Sequence, residues 1–364
     1  MICGLSLMRE AQMHNYWKDK KVLVTGHTGF VGSWLTCALG YMGAEVTGFS
    51  LPEEPGSLYA RIADRLDVRS IYGDLRDLES VRKCLAKCDP DIVFHIAAFG
   101  FVKECHADPE RAYTTNVDGT LNLLRVVEKS GNVQKVIAAS SDKVYHNTDS
   151  EAYLFTEDDP LGGSDTYSAS KTCEDIIFQS YYGSYLSQRG IVGCIVRPSN
   201  ILGGGDHNMT RLIPSIYHAL GQGKSPEIRN PGALRPWQNI LDVVDAYMML
   251  AQRCETGLSI YNVGPLPDGI KSVGEIADYV SSLYGIQSKT AASDATGVRE
   301  MAHLGLSIDK INDKLGWAPK RTLEETLNEI YEFYETDDGV NTYDLCMNQI
   351  KRYYDQGGSY AEME

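Results

Sequence analysis

The chain has 364 residues, with 34 lysines and arginines against 49 aspartates and glutamates, and its formal net charge is −15 at pH 7. This acidic balance argues against nucleic acid or an anionic membrane as the main partner, so a small anionic ligand would need local basic residues. The length suits a dinucleotide-binding domain with a smaller companion.

The location and redox state follow from what the chain lacks. No apolar run approaches the ~20 residues of a membrane span, and the first residues are too short and too polar for a signal peptide. We therefore expect a cytoplasmic protein. The nine cysteines include no CxxC pair and indicate reduced thiols. Cys84 and Cys88, at helical spacing, are interpreted as core residues rather than metal ligands, and no structural metal is expected.

The first predicted strand, Lys21–Thr25, runs directly into a glycine-rich turn that opens a helix. Glycines at positions 26, 29 and 32 permit a tight turn and close approach to a pyrophosphate, while the helix N-terminus offers N–H groups to the phosphates. A second strand over 45–49 completes the context of a dinucleotide fold. The predicted cofactor contacts in this turn are Gly26, Thr28, Gly29, Phe30, Val31 and Gly32.

The next predicted strands end in residues suited to the rest of a dinucleotide. The second strand ends at Ser50, where many NAD-binding chains carry an acidic residue for the adenosine ribose, so the choice between NAD and NADP stays open. After a strand over 69–73, Asp74 suits the adenine amine, whereas Asp77 could cap the next helix. A strand over 91–97 ends in small residues. The further predicted cofactor contacts are Ser50, Asp74, Leu75, Ala97 and Ala98.

Asn116 opens a predicted helix that runs through Val127. It is either a helix cap or a cofactor-site residue that helps to fix the strand carrying the active site. The alternation of strands and helices predicts an α/β fold, namely a Rossmann doubly wound parallel sheet with a smaller C-terminal α/β substrate lobe. The predicted divisions are an N-terminal extension (1–17), an NAD-binding domain (18–200 plus about 236–263), a nucleotide-sugar lobe (about 201–235 plus 264–335) and a C-terminal extension (336–364).

The predicted chemistry lies where the strand over 136–139 ends, at Ser141, since the carboxyl edge of a parallel sheet is the usual place for an active site. Tyr167 and Lys171 stand four residues apart in a helical run and share one face. A neighbouring ammonium lowers the pKa of a phenol, so Tyr167 could take a proton from a substrate hydroxyl while Ser141 hydrogen-bonds the same oxygen. With the glycine turn, this arrangement predicts hydride transfer to a nicotinamide.

Past a strand over 193–197, three successive glycines indicate a loop that closely approaches another group. Basic residues then stand among turn formers. Since guanidinium groups bind diphosphates bidentately, Arg211, Arg229 and Arg235 are predicted diphosphate contacts, with solvated loop arginines as the alternative. Further helices are predicted over 240–251, 273–284, 323–334 and 342–354.

The glycine turn, Asn116, Ser141, the Tyr167-x-x-x-Lys171 pair and Asn200 resemble the extended short-chain dehydrogenases that modify nucleotide sugars. Within them, the chain is most similar to the branch that acts as CDP-glucose 4,6-dehydratases, from about residue 17 to 334. The segments that carry this resemblance are GHTGFVGSWL, SSDKVY, LGGSDTYSASK, ILGGGD and RNPGALRPWQNIL.

The resemblance implies tightly retained NAD+, a CDP-hexose substrate, and a homodimer or dimer of dimers built through the helices near residues 119 and 167. In the implied reaction, Tyr167 deprotonates the C4 hydroxyl while hydride leaves C4. Lys143 or a nearby base removes the C5 proton, Asp142 protonates the leaving C6 hydroxyl, and hydride returns to C6. The implied catalytic residues are Ser141, Asp142, Lys143, Tyr167 and Lys171, of which the last two also contact NAD. The implied substrate contacts are Asn200, Arg211, Arg229, Arg235 and Asn239.

Two features separate this chain from the branch. Phe99-Gly-Phe-Val102 and Cys105-His106 stand near the expected sugar position, where the branch reads Ala-Ala-Gln-Pro-Leu-Val and Ser-Tyr, so the exact hexose stays open. Asn239 replaces a common histidine, and His106 is interpreted as a hydrogen-bonded structural residue rather than a catalytic one. Since Asp142 and Lys143 would favour each other's charged form, burial or substrate must shift both.

Two other functions remain to be separated from dehydration. An epimerase or reductase on the same scaffold needs Tyr167, Ser141 and Lys171 but neither Asp142 nor Lys143. A catalytically silent dinucleotide sensor needs none of these residues. The presence of Asp142 therefore favours the dehydratase over the epimerase.

Overall fold

The computed structural model describes residues 13–147, 153–228, 230–290, 304–337, 339 and 341–355. Its centre is a seven-stranded sheet in the order β10-β6-β5-β4-β1-β2-β3, with each neighbouring pair parallel. These strands are β1 (Lys21–Thr25), β2 (Glu45–Ser50), β3 (Val68–Tyr72), β4 (Ile92–His95), β5 (Lys135–Ala139), β6 (Val192–Pro198) and β10 (Leu258–Val263). The predicted doubly wound parallel sheet is confirmed.

Helices cover both faces of this sheet, and α1 is described over 13–17. The helices of the sheet region are α2 (Phe30–Tyr41), α3 (Leu58–Ile62), α4 (Leu78–Cys88), α5 (Val102–Ala107), α6 (Pro109–Tyr113), α7 (Gly119–Glu128), α8 (Thr166–Tyr181), α10 (Ile240–Arg253) and α14 (Thr342–Asp355). The others are α9 (Leu212–Gly221), α11 (Val273–Leu283), α12 (Asp309–Leu315) and α13 (Leu323–Thr336).

The two faces of the sheet carry separate apolar cores. On one face, α2, α10 and α14 bury side chains such as Trp34, Val244 and Tyr353 against the strands. On the other, α4, α7 and α8 bury Leu123 and Phe178. Because both faces are covered, the central strands need apolar side chains on both sides, which explains why β6 is buried along its whole length.

A smaller lobe lies beside the sheet. Here β9 (Leu234–Asn239) pairs in parallel with β7 (Asn200–Leu202) and antiparallel with β11 (Ile270–Ser272). A two-stranded pair joins β8 (Glu227–Ile228) to β12 (Lys289–Thr290). The core of the lobe includes Ile216, Trp237, Ile276 and Ile330. The chain leaves β9 directly into α10, and Asn239 caps the start of α10 at this junction of the lobe and the sheet.

The helix predicted to begin at Asn116 begins earlier. Asp108 caps α6 by accepting a hydrogen bond from the Arg111 amide, and Pro109 occupies the first helical position. A π-helical turn, Thr114–Asp118, then joins α6 to α7. Asn116 therefore lies inside a helical run and the capping interpretation is wrong. Such π turns frequently occur at functional sites.

The predicted strand over 91–97 is also shorter, because its last amides bond elsewhere. The N–H groups of Ile96 and Ala97 donate to Oγ1 of Thr25, each at 3.2 Å, after the ladder ends at His95. Throughout the described ranges, every helix is too short or too polar to cross a membrane.

Candidate active site at the carboxyl edge of the sheet

The glycine turn between β1 and α2 is packed so closely against the protein's own backbone that two of its positions require glycine. Gly26 has φ +75°, and a Cβ there would lie 2.7 Å from Cα of Ala97. A Cβ at Gly32 would lie 2.0 Å from the Gly26 carbonyl oxygen. Gly29 is the N-cap of α2 and brings no side chain to its first amides. The first amides of the helix belong to Phe30 and Val31. Together with the positive end of the helix dipole, they suit the binding of a pyrophosphate.

The predicted ribose and adenine contacts lie beside this turn. Oγ1 of Thr28 is 2.8 Å from Oγ of Ser50 and donates to the Leu51 carbonyl at 3.1 Å.

Asp74 forms a 2.6 Å ion pair with Arg76, which lowers the pKa of Asp74. Its carboxylate therefore already has a partner where the sequence predicted an adenine contact. Asp77 caps α4 by accepting a hydrogen bond from the Glu79 amide. Leu75 is buried against Gly119.

The segment after β4 is fixed by buried polar side chains. His95 bridges Oγ1 of Thr25 at 2.9 Å and Oγ1 of Thr120 at 2.8 Å. Burial lowers the pKa of His95 to about 3, so the imidazole stays neutral near pH 7. Thr25 in turn accepts from the amide of Ala97, and Ala98 follows at the surface. Small side chains at these two positions keep the approach to the glycine turn open.

Asn116 fixes the loop that leads to the altered segment. Its Oδ1 accepts from the Phe99 amide at 2.7 Å, while Nδ2 donates to the Phe99 carbonyl at 3.1 Å and to Oγ of Ser170 at 2.9 Å. Ser170 lies on α8 between Tyr167 and Lys171. Asn116 thus joins the loop after β4 to the helix of the predicted catalytic pair, which is a different attachment from the strand that the sequence suggested.

The predicted catalytic serine and aspartate lie in one buried turn after β5. Oγ of Ser141 accepts from the Lys143 amide at 3.2 Å and donates to Oδ1 of Asp142 at 3.1 Å. Asp142 is 2% exposed, and among the described residues its Oδ2 has no hydrogen-bond partner. Burial raises the pKa of Asp142, although Lys143 and Ser141 oppose this shift. Burial thus makes the neutral acid easier to form than in water, which works against the charged form that the adjacent lysine favours.

Tyr167 and Lys171 lie on α8 as predicted, but their electrostatics differ from the expectation. Burial raises the pKa of Tyr167 above its ordinary value, and the hydrogen bond with Ser141 opposes the rise only in part. Nζ of Lys171 donates to the Ala139 carbonyl at 2.7 Å and to Oε2 of Glu174 at 2.6 Å. The predicted lowering of the Tyr167 pKa is absent from this structure, because burial raises this pKa and the negative charges of Asp142 and Glu174 add to the rise.

Lys143 lies on the other side of Tyr167. Its Nζ is 5.9 Å from the centroid of the Tyr167 ring, so the ammonium and the phenol border the same space. A cation over an aromatic face is attracted by the ring electrons, which holds Lys143 beside the turn that carries Asp142. The structure therefore brings Ser141, Asp142, Lys143 and Tyr167 together, and Lys171 follows Tyr167 by four residues on α8.

A buried polar network beneath the site was missed from the sequence. Asp175 accepts from Oγ of Ser140 at 2.9 Å and from Nε and Nη2 of Arg197 at 2.9 and 3.0 Å. Nη1 of Arg197 donates to the Tyr145 hydroxyl at 2.9 Å, which donates to Oδ1 of Asn262 at 2.6 Å. This network ties α8 to β5, β6 and β10. Acidic residues three and four positions after Lys171 could have indicated it.

The predicted substrate residues divide into two groups. Arg235 is 9% exposed and its charge acts on Asp142, whereas Arg211 pairs with Asp206 at 2.5 Å and lies 5.9 Å from the Phe30 ring. Asn200 is half-buried at the start of β7. Arg235 thus acts near the turn that carries Asp142, and Arg211 lies beside Phe30 at the glycine turn, while the binding role of all three residues remains a prediction.

Of the other two predicted substrate residues, Asn239 has its polar atoms engaged in a different place. Asn239 accepts from the Leu241 amide at 2.8 Å and donates to Oε2 of Glu329 at 2.9 Å, so its polar atoms serve the junction of α10 and α13. Arg229 lies outside the described residues.

The three glycines after β7 do approach another group closely, but it is the protein core: Cβ atoms at positions 203 and 204 would meet Ile240 at 2.4 Å and Phe333 at 2.3 Å.

The altered segment near Phe99 lies close to the catalytic tyrosine. Sγ of Cys105 donates to the Phe99 carbonyl at 3.2 Å, and the Cys105 thiol contributes to the electrostatic surroundings of Tyr167. Arg111 stacks over the Phe99 ring, with its guanidinium carbon 4.5 Å from the centroid. His106 is exposed on α5, so burial gives no support to a structural role for it.

The fold and these residues define a Rossmann protein with a dinucleotide site and a serine-tyrosine-lysine centre of the dehydrogenase type. Residues 22–264 match the model of the NAD dependent epimerase/dehydratase family, and the chain belongs to that family. This confirms the predicted fold class, the enzyme class and NAD as the cofactor. The described residues contain no group of three or more His, Cys, Asp or Glu side chains placed to hold a metal ion.

Individual relatives sharpen the resemblance. The chain is 37% identical over 334 residues to the CDP-glucose 4,6-dehydratase of Salmonella typhimurium, covering 88% of this chain and 92% of the relative. A dTDP-glucose 4,6-dehydratase from Streptomyces venezuelae with bound NAD has a TM-score of 0.77 at 24% identity, covering 87% of this chain and 98% of that one. A UDP-glucose 4-epimerase from Thermotoga maritima has a TM-score of 0.76 at 21% identity, with 86% and 98% covered. The structural likeness shows the shared fold.

Proposed function

We propose that this protein is a nucleotide-sugar 4,6-dehydratase that converts CDP-glucose to CDP-4-keto-6-deoxyglucose. The observation that carries the proposal is Asp142, a buried carboxyl with a raised pKa and an unpartnered Oδ2 beside Tyr167. A carboxylic acid kept neutral in a buried site can donate a proton to a leaving hydroxyl. Oxidation and return of a hydride alone would not need such a group.

The chain's own residues divide the proton transfers. NAD, bound across the glycine turn, would accept the hydride from C4 of the sugar and return it at C6. In its phenolate form, Tyr167 takes the proton of the C4 hydroxyl, with Ser141 hydrogen-bonding the phenolate oxygen. Lys143, which lies near the Tyr167 ring, or a nearby base removes the C5 proton once C4 is a ketone. Asp142 protonates the departing C6 hydroxyl through its free Oδ2.

The substrate assignment rests on similarity and on charge. The curated relative at 37% identity is a CDP-glucose 4,6-dehydratase, and we carry its sugar nucleotide to this chain as a proposal. Arg211 and Arg235 supply positive charge near the site in a chain with a net charge of −15. Such guanidinium groups bind diphosphate oxygens well. The domain division, the cytoplasmic location and the roles of the individual cofactor contacts likewise remain proposals.

The proposed dimer or dimer of dimers is supported by exposed apolar side chains on or near the helices named for it. Ile176 on α8 is 50% exposed, Tyr113 just before the π-helical turn is 40% exposed, and Tyr185 after α8 is 49% exposed. Large apolar groups that lie on adjacent helices are typical of a helix-to-helix subunit contact.

The test is to incubate the purified protein with NAD+ and, separately, with CDP-, UDP-, dTDP- and GDP-glucose, and to measure product mass. We expect loss of one water from CDP-glucose. An isomer of unchanged mass would instead identify an epimerase, and turnover of a different nucleotide alone would reject the CDP assignment. If none of the four is converted, the proposed substrate is wrong, and the Phe99 segment directs the search to modified CDP-sugars.

A further inference from the structure

Glu174 is a buried carboxyl that the proposed reaction does not use. It lies on α8 three residues after Lys171 and is 3% exposed. The hydrogen bond described for it comes from Nζ of Lys171, at 2.6 Å. A carboxylate is rarely buried without a purpose in the structure, because removing it from water costs several kcal/mol unless a partner compensates.

We propose that Glu174 is a positioning residue: its carboxylate holds the Lys171 ammonium against the end of β5, and its negative charge offsets the lysine charge that Tyr167 meets. This inference rests on the function proposed for Tyr167. It adds a group whose protonation controls the electrostatic environment of that tyrosine.

The geometry supports the holding function. An ammonium has three N–H donors, and the two described for Lys171 reach the Ala139 carbonyl and Glu174. Ala139 is the last residue of β5, directly before the turn that carries Ser141 and Asp142. Lys171 therefore joins α8 to the strand that presents the catalytic turn, and Glu174 fixes the direction of the lysine side chain while one donor remains for a ligand or for Tyr167.

Among the described groups around this ion pair, Glu174 is the one that we expect to change its charge near neutral pH. Burial raises its pKa to about 7, and Lys171 opposes this rise. His95 faces Lys171 from β4 but has its pKa lowered to about 3, and Tyr247 faces Glu174 from α10 with its pKa raised by burial. The titratable or charged groups around the pair are Tyr167 and Asp175 on α8, Tyr247 on α10, His95 on β4 and Cys105 on α5.

The sign of the effect on Tyr167 follows directly. The charge of ionised Glu174 raises the pKa of Tyr167. When Glu174 is neutral, the Lys171 charge is no longer offset and the phenolate is easier to form. A neutral amide at position 174 should mimic this state at every pH, and its oxygen can still accept the hydrogen bond from Lys171.

The experiment compares wild type with Glu174→Gln, with Glu128→Gln as the matched control. Glu128, on α7, also accepts a side-chain hydrogen bond, from the Tyr181 hydroxyl at 2.6 Å, but outside the site. The first hydride transfer is followed by reduced-nicotinamide absorbance after mixing NAD+-loaded enzyme with nucleotide sugar, across pH. In Glu174→Gln we expect the rising limb of the pH profile to shift to lower pH by about one to two units. In the control variant Glu128→Gln, the rising limb should stay at its wild-type pH.

A second readout needs no turnover. Carboxyl-carbon NMR of glutamate-labelled protein, with and without NAD+, should contain one resonance that titrates near pH 7 and disappears in Glu174→Gln. An unshifted limb in Glu174→Gln, or titration of this resonance near the ordinary glutamate range, would overturn the proposal. Since both readouts precede water loss, an enzyme that shifts as expected but does not dehydrate CDP-glucose would refute the proposed reaction and leave the assignment of Glu174 intact.

Discussion

Two buried ion pairs begin at adjacent positions of α8, and they are satisfied very differently. Asp175 accepts four hydrogen bonds, from Ser140, from two nitrogens of Arg197 and from Gln179. The hydrogen bond described for its neighbour Glu174 comes from Lys171. The buried carboxylate of Asp175 is thus compensated by several hydrogen-bond donors. Glu174 has fewer donors to compensate its burial, and its pKa rises to about 7.

The contrast between these two ion pairs indicates that one helix can serve both stability and chemistry. The Asp175–Arg197 pair faces the interior and ties α8 to three strands, so its charges never need to change. The Lys171–Glu174 pair lies next to Tyr167 and has a proton that can leave near neutral pH. A buried ion pair is in itself weak evidence for stability. The number of hydrogen bonds to the carboxylate separates the structural pair from the one that regulates charge.

The largest effect is expected from Tyr167→Phe, which removes the group that the Lys171–Glu174 pair serves. Hydride transfer should fall by about 10³-fold, since no base remains for the C4 hydroxyl. The free energy of unfolding should change little, and NAD+ should still bind. Turnover and NAD+ titration check this pair of outcomes. Normal activity in the variant would remove the basis for assigning chemistry to α8.

Asp142→Asn should separate the second chemical step from the first. An amide can keep the hydrogen bond with Ser141 but cannot protonate a leaving hydroxyl, so water loss should slow by about 10²-fold. Oxidation at C4 should continue, and reduced cofactor should accumulate on mixing with CDP-glucose. Stopped-flow absorbance and product mass measure the two steps. Water loss at the wild-type rate would show that another group is the acid.

Asp175→Ala tests the structural side of the comparison. It leaves the buried Arg197 guanidinium without its partner, and unfolding by denaturant should show a loss of about 3–5 kcal/mol. Glu174→Gln is the matched variant and should lose far less, because Lys171 keeps an acceptor. If both variants lost the same stability without a pH effect, the two pairs would serve one structural purpose.

The pH dependence of stability tests the pKa of Glu174 directly. Between about pH 4.5, the ordinary value for glutamate, and about pH 7, folded Glu174 keeps a proton that the unfolded chain has released. The folded state binds more protons in this window, so its stability falls as pH rises through it, by about 3 kcal/mol.

Glu174→Gln should flatten this fall, which chemical denaturation at several pH values measures. Asp242 is buried in the core and accepts a hydrogen bond from the Tyr353 hydroxyl. Burial raises the pKa of Asp242 to about 7, so this residue contributes to the fall in stability in the same direction. Asp242→Asn should therefore flatten the fall as well but leave the pH profile of hydride transfer in place. An unchanged slope in Glu174→Gln would show that its folded pKa is ordinary.

The sequence predicted the parts of the site that depend on local spacing. The glycine turn, the strand-end serine and the Tyr167–Lys171 pair all rest on residues close in the chain, where periodicity and turn chemistry decide the backbone. The helix start near Asn116 was misplaced because the capping Asp108 and Pro109 lie seven or more residues earlier, and a π turn hides the continuity.

What could not be predicted depends on burial across distant segments. The raised pKa of Tyr167 comes from burial and from the partner of Lys171, and neither follows from spacing alone. Arg197, Tyr145 and Asn262 meet only because β6, the turn after β5 and β10 are neighbours in space. Three glycines in succession indicated a close approach, but only the fold shows that the approaching groups are core side chains.

The most direct test of the dehydratase assignment is to follow a deuterium placed on C4 of CDP-glucose through one turnover. We expect the label to reappear on C6 of a 4-keto product that has lost one water, because the same site removes the hydride and returns it after Asp142 has protonated the leaving hydroxyl. Label that returns to C4 in an isomer of unchanged mass would contradict it and identify this chain as an epimerase.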